Sequence, residues 1–442
     1  MPAPTRLLAA AVTAAACIGT TAVPAAAAPD TDAVVSRGVT IPAFYNPPAS
    51  LPAADGALIR TERLPLALSL PGVDGRFPGR ATRLMYKSTD SNGQPVAVTG
   101  AYLEPTAAWK GEGPRPLVAL APGTMGQGDQ CAASLGLERP LLLNGQTLSV
   151  GYENLAIYRM LARGIAVVVT DYAGLGSTDR LHTYVNRVDE AHAVLDAVRA
   201  AKALDGTSLT EGSRVALFGY SQGGGATAAA AELQPSYAPD VPLAGTYTGA
   251  TPADLVAVTK AIDGSDLAGA LGWSVNGFLQ TDPALRPIAD AHLNAKGKAA
   301  LKDLSTMCVG DALLAYNSAR STSWTTHGRS LSDIIQAEPA ALKAFLADQR
   351  IGTLKPASPV RVATGTADDL VPHAQSRELA AAWCAKGADV TYKPVVLLPL
   401  GRALLNHFAP LIADQGEAIS WLTDRLNGEP AASNCAKIGR QP

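Results

Sequence analysis

The sequence predicts an α/β protein: a mostly parallel sheet flanked by helices, with a helical lid or cap inserted late in the sheet. Three observations lead there. From about residue 80 onward, short apolar runs bounded by Gly and Pro alternate with Ala-rich amphipathic stretches, the layout of parallel strands joined by crossover helices. One strand-like run, Arg214 to Phe218, passes through a tight Gly-x-Ser-x-Gly bend straight into a stretch of very small residues. Between about 251 and 350 the strand signals stop while helical ones persist, and an insertion there would cover the carboxyl edge of the strands, where ligands of open α/β sheets bind.

Composition sets the outer bounds. With 442 residues, 47% hydrophobic and 17% charged, the chain can bury a large core, which excludes disorder as its main state. The 41 Gly and 32 Pro are dispersed without period, so collagen-like and low-complexity readings fail. Thirty-six basic against 38 acidic residues, with no Lys/Arg run, leave no footprint for a polyanion, and no nucleic-acid partner is expected.

In chain order, residues 1–28 read as a secretory signal peptide. A basic start at Arg6 is followed by an apolar middle from Leu7, and Ala25 to Ala28 ahead of Pro29 and Asp30 form a small-residue cleavage site, with the cut after Ala27 or Ala28. The competing readings are a transmembrane anchor and a lipid-modified Cys17. Residues 29–80, rich in Pro and weak in periodicity, read as an irregular N-terminal arm. Residues 81–250 and 351–430 form the sheet domain. Its strands are expected at 116–121, 164–170, 214–218, 359–363 and 390–396, and its helices at 153–163, 188–203, 222–234 and 374–386. Pro394 places the last strand at a sheet edge. Residues 251–350 are the cap, with a separate interaction module as the alternative, and 431–442 are a tail. Cys17 aside, four cysteines remain: Cys131, Cys308, Cys384 and Cys435. None has metal-ligand spacing, so disulfides are expected. Of three pairings we favour Cys131 with Cys308 and Cys384 with Cys435, because the second would tie down the tail.

The chemistry starts at Gly219-Tyr220-Ser221-Gln222-Gly223, a nucleophile elbow in the required strand-to-helix setting. A serine hydroxyl needs a base, and with such an elbow the acid and then the base follow it in the chain, which removes His182 and His192. His292 and His327 fall in the helical insertion. His407, after the last strand and ahead of a helix expected over 416–426, is the candidate base, with His373 in reserve. Gly365 to Pro372 ends the preceding strand and offers Asp368 and Asp369, of which Asp368 is preferred as the acid that orients the imidazole. The developing oxyanion needs two amides. Gln222 supplies one, and the glycine-rich loop Ala121 to Gly128 the other, nominally from Thr124, with Met125 next. That loop lacks the lysine and glycine pattern of a phosphate cradle. Asp171 to Gly176 is read as a structural turn.

These motifs, Ala121-Pro122-Gly123-Thr124 with Asp129 and Cys131, Gly219 to Gly224, Gly365 to Pro372 and Asn406-His407, together resemble the secretory lipase family of the α/β-hydrolase superfamily, the yeast lipase A type, over most of residues 80–430. The resemblance implies an α/β-hydrolase core, a helical lid inserted after the elbow unit, two disulfides, no cofactor, no metal, and the triad Ser221, Asp368 and His407. It implies a secreted enzyme that cleaves acyl lipid esters through an acyl-enzyme, a triacylglycerol lipase, with a small-molecule or lipid ester as substrate and transient contact with a lipid interface. The alternatives are a short-chain or polyester esterase, an acyltransferase, and a non-catalytic secreted binding protein on the same scaffold.

Overall fold

The computed structural model describes residues 34–72, 75–337 and 340–442. The signal peptide expected over 1–28 lies outside them. Nine strands form the central sheet: β1 (Leu58–Leu64), β2 (Gly79–Thr89), β3 (Pro95–Pro105), β4 (Leu117–Ala121), β5 (Ala166–Ala173), β6 (Val215–Tyr220), β7 (Leu243–Gly249), β8 (Val360–Gly365) and β9 (Val390–Val395). Their spatial order is β9-β8-β7-β6-β4-β5-β3-β2-β1. From β9 to β5 every pairing is parallel, and β3, β2 and β1 extend the sheet as an antiparallel meander.

Five of the six parallel strands are the expected apolar runs; β4, β5, β6 and β8 are wholly buried, with helices on both faces, while the edge strand β9 is only partly so. The sixth, β7, was not anticipated: Leu243-Ala244-Gly245-Thr246-Tyr247-Thr248-Gly249 alternates small and polar residues and shows no apolar run. Pro394 does fall on an edge strand, where its missing N–H removes no ladder bond. The antiparallel strands were not anticipated. β1 lies within the stretch expected to be irregular, and its three exposed residues Thr61, Glu62 and Arg63 carry no apolar alternation to betray a strand. β2 shows why: Arg83 and Lys87 are buried in it, neutralised by Glu62 with Glu138 and by Asp55 respectively, so charged residues occupy sites that an apolar pattern would leave blank.

The helices of the core are α1 (Ala133–Glu138), α2 (Asn154–Leu161), α3 (Arg187–Lys202) and α4 (Gln222–Tyr237). Between β7 and β8 come seven cap helices among the described residues: α5 (Leu255–Ile262), α6 (Ala270–Thr281), α7 (Arg286–His292), α8 (Ala295–Leu304), α9 (Val309–Ala315), α10 (Leu331–Ala337) and α11 (Ala340–Asp348). They pack around their own apolar centre, with Trp273, Leu304 and Trp324 buried. After β8 come α12 (His373–Ala385) and, after β9, α13 (Ala403–Asn427). Helix α13 begins well before the expected start at 416, so His407 is helical and not in a loop. Pro410 interrupts the helical pattern in the sequence, but its ring packs against Gly365 at the end of β8, where a Cβ at Gly365 would meet Pro410 Cγ at 2.4 Å. Tertiary packing outweighs the one hydrogen bond the proline removes.

Candidate active site

The bend between β6 and α4 is made possible by two close approaches. A Cβ on Gly219 would lie 2.1 Å from the carbonyl oxygen of Gly223, and one on Gly223 would lie 2.0 Å from that of Ala121. Ser221 between them is held at φ 58°, a strained conformation for a serine, with its own N–H bonded to Gly249 O at 2.9 Å. The side chain is thereby thrown to the sheet's carboxyl edge. Gln222 opens α4, so its amide is one of those without an intrahelical partner and lies at the positive end of the helix dipole.

Asp368 follows β8, and its Oδ1 accepts the amides of Leu370 and Val371 at 3.1 and 3.0 Å. This leaves Oδ2, 2.7 Å from His407 Nδ1, with both side chains buried. Asp369 turns the other way and accepts from Asn406 Nδ2. His373 starts α12, where its Nε2 lies 3.1 Å from the Tyr392 hydroxyl, away from the cavities at Ser221. Ser221 and His407 line two common cavities. No hydrogen bond joins Ser221 Oγ to the ring among the described contacts, a separation that is often long before substrate binds.

The first cavity is roofed by the cap, with Leu255, Val258, Ile262, Leu267 and Phe278 over Ser221. Through Thr259, Ser274 and Phe278 it meets an apolar cavity inside the cap, lined among others by Leu271, Val275, Ile334 and Leu346. The apolar stretch 267–279 therefore divides its work: Leu267, Leu271 and Phe278 face open space, while Trp273 is core. The second cavity runs past Thr124, Tyr152, Glu153, Leu404 and Phe408.

Thr124 is buried, its hydroxyl 2.8 Å from that of Tyr184 and its carbonyl accepting from Tyr152 at 3.0 Å. The loop that carries it is fastened to the cap. Val309 N donates to Met125 O, Gln127 N to Met307 O, and Cys131 is bonded to Cys308. Met125 is a core residue in this junction. The second disulfide joins Cys384 to Cys435 and holds the tail against β9.

Four side chains near the site had no signal in the sequence. Glu153 is buried in the second cavity, with one oxygen 2.7 Å from Gly123 N, and burial pushes its carboxyl up to about 7. Glu190 of α3, pushed up to about 8 by burial, accepts from Val185 N and Gln222 Nε2. His182 had been set aside for preceding Ser221, yet its Nε2 lies 3.0 Å from Gln222 Nε2 while Nδ1 faces Ala173 O at 2.9 Å. Burial lowers it to about 4, so the ring is neutral, donating from Nδ1 and accepting at Nε2. Tyr184 completes the set. The segment 182–185 thus grips the residues of both nominated oxyanion amides, Gln222 through His182 and Thr124 through Tyr184. Chain order cannot reveal a neighbour brought in by folding.

Elbow, sheet order and inserted cap define the class, an α/β-hydrolase. The chain belongs to the secretory lipase family: residues 138–434 match the family described as "Secretory lipase". It is accordingly a lipase-type carboxylic ester hydrolase. Among its relatives is a protein of Mycobacterium tuberculosis named "Probable inactive lipase MT1628", 29% identical over 398 residues, covering 88% of this chain and 82% of that one. Another is "Secreted triacylglycerol lipase LIP3" of Malassezia globosa, 27% identical over 365 residues, 81% and 76% of the two chains. The fold is similar to the crystal structure of Candida antarctica lipase A in its closed state, with a TM-score of 0.72, 22% identity, and 88% and 87% of the two chains covered.

Proposed function

We propose that the protein is an exported triacylglycerol lipase that works through an acyl-enzyme on Ser221. One relative bears the name of a probable inactive lipase, so the scaffold by itself does not ensure turnover and the side chains of the site must supply it. The single observation that carries it is the buried His407–Asp368 pair at 2.7 Å, opening onto the cavities that hold Ser221. In this reading His407 Nδ1–H donates to Asp368, which leaves Nε2 free to take the proton of Ser221 as its oxygen attacks the ester carbonyl. The amides of Gln222 and Thr124 receive the oxyanion. His407 then protonates the departing alcohol, and a water deprotonated by the same ring releases the acid.

The acyl chain runs under the cap into the cavity lined by Val275, Leu271 and Ile334, and the glycerol side faces the second cavity. Contact with a lipid interface is transient, and export follows from the signal peptide at residues 1–28. A fluorophosphonate tests the mechanism directly. Stoichiometric labelling that disappears in Ser221→Ala supports it. Folded wild-type protein that remains unlabelled and cleaves no ester overturns it in favour of a binding protein.

A further inference from the structure

We infer that Glu153 is the specificity residue on the alcohol side of the site: its unpaired oxygen binds a hydroxyl carried by the alcohol part of the ester, so glycerol esters with a free hydroxyl are favoured; this rests on the reading of the site as a lipase and names what the second cavity recognises. That cavity is small, about 20 Å³ against about 100 Å³ for the apolar one inside the cap, so it takes a water-sized group and no acyl chain. Its polar side chains are accounted for one by one. The hydroxyl of Thr124 is paired with that of Tyr184, and those of Tyr152 and Tyr220 donate to Thr124 O and His407 O. Ser221 and His407 carry the proposed chemistry. Glu153 remains: Gly123 N donates to its Oε1 at 2.7 Å, and its Oε2 has no partner among the described residues. The carboxyl stands beside the elbow, since a Cβ at Gly123 would lie 3.5 Å from Glu153 Oε1 and 3.1 Å from the carbonyl oxygen of Tyr220, the residue before Ser221.

Holding Gly123 does not by itself call for an acid. One acceptor suffices, and a side-chain amide would supply it without the cost of burying a carboxyl group. Nor does the side chain cap α2, which it precedes. Burial pushes the carboxyl up to about 7, so both of its forms are present near neutral pH. A hydroxyl suits either form, accepting from the protonated acid and donating to the carboxylate. An ester or ether oxygen suits only the first, and an alkyl group neither. Ser221 lines both this cavity and the one that leads under the cap, so an ester whose acyl chain fills the cap presents its alcohol here. Once one acyl group has left a triacylglycerol, the glyceride that remains carries such a hydroxyl.

The test uses two soluble esters with the same acyl group and carbon skeleton, 2,3-dihydroxypropyl butyrate and propyl butyrate, and reads the ratio of their kcat/KM values. Any loss caused by a loosened Gly123 falls on both esters and cancels in the ratio. From wild type to Glu153→Leu, or to Glu153→Ala should the leucine variant not fold, the ratio should drop about tenfold, the worth of a hydrogen bond to a buried acid. Glu153→Gln, which keeps an acceptor for Gly123 N and a group for the hydroxyl, should stay within about threefold of the wild-type ratio. Both esters cleaved with the same ratio in wild type and in the apolar variants overturns the hydroxyl site alone and leaves Glu153 a brace for the loop. Folded wild type that cleaves neither ester overturns the lipase reading and the hydroxyl site with it.

Discussion

Ser221 occupies a backbone conformation that costs about 1–3 kcal/mol, and the surrounding glycines hold it there by letting three backbones pass within contact distance. Replacing it with Ala should lower kcat on any ester by about 10⁴–10⁶ while leaving the fold intact. Asp368→Asn should cost about 10⁴ in kcat with little change in KM, because the wrong imidazole tautomer would then be held; single-turnover kinetics check both. Glu153 and Glu190 predict a pH effect of definite sign. Their ordinary value is 4.5, and burial raises them to about 7 and about 8 in the folded protein. Between about pH 5 and 8 the folded state therefore keeps protons that the unfolded chain gives up, so stability falls as pH rises through that window. Thermal melts should show wild type losing stability from pH 5 to 8, and Glu153→Gln with Glu190→Gln flattening the profile. A wild-type profile that rises over that range would contradict the assigned burial of these acids. Ser221 was legible because its motif is local. Glu153, Glu190, His182 and Tyr184 were not, because each reaches the site from an element whose own sequence has another evident purpose.

At the scale of elements, the loop from Ala121 to Cys131 is the joint between core and cap and carries Thr124, whose amide is proposed for the oxyanion. Three backbone hydrogen bonds, the Gln127 side chain, which reaches His182 O and Trp273 O, and a buried disulfide spanning 177 residues all converge on it. Cys131→Ser with Cys308→Ser should cost about 2–5 kcal/mol of stability and also reduce kcat, since the Thr124 amide loses its brace. Calorimetry and ester kinetics on the same samples separate the two effects, and an unchanged kcat would show that the loop needs no support from the cap. The elbow strand, its neighbour β4 and most cap helices were readable from periodicity and small residues, whereas its other neighbour β7 was not. The antiparallel meander was not, because buried Arg83 and Lys87 and exposed Glu62 and Arg63 replace the alternation by which strands are recognised. Helix α13 was read too short for a related reason: Pro410 looks like a stop in one dimension and is a packing residue in three.

For the whole molecule, the proposed acyl site under the cap makes a prediction about which esters fit. Val275→Trp would fill the apolar cavity between α6 and α10, so activity on long-chain esters should fall at least tenfold while that on butyryl esters stays within about twofold, measured across a chain-length series. Equal losses on both would place the acyl chain elsewhere. The sequence by itself determined the parts whose information is short-ranged: all the parallel strands but β7, the bend at Ser221, the helical character of the insertion and the shortlist of acids and bases. Tertiary structure alone decided which of these meet. It joined Asp368, rather than Asp369, to a histidine 39 residues away, carried His373 off to Tyr392, and set neutral His182 and Glu190 behind Gln222. The physical reason is that a strand or a tight turn is specified by neighbours along the chain, whereas a hydrogen bond between distant elements exists only after burial of apolar surface has fixed their separation.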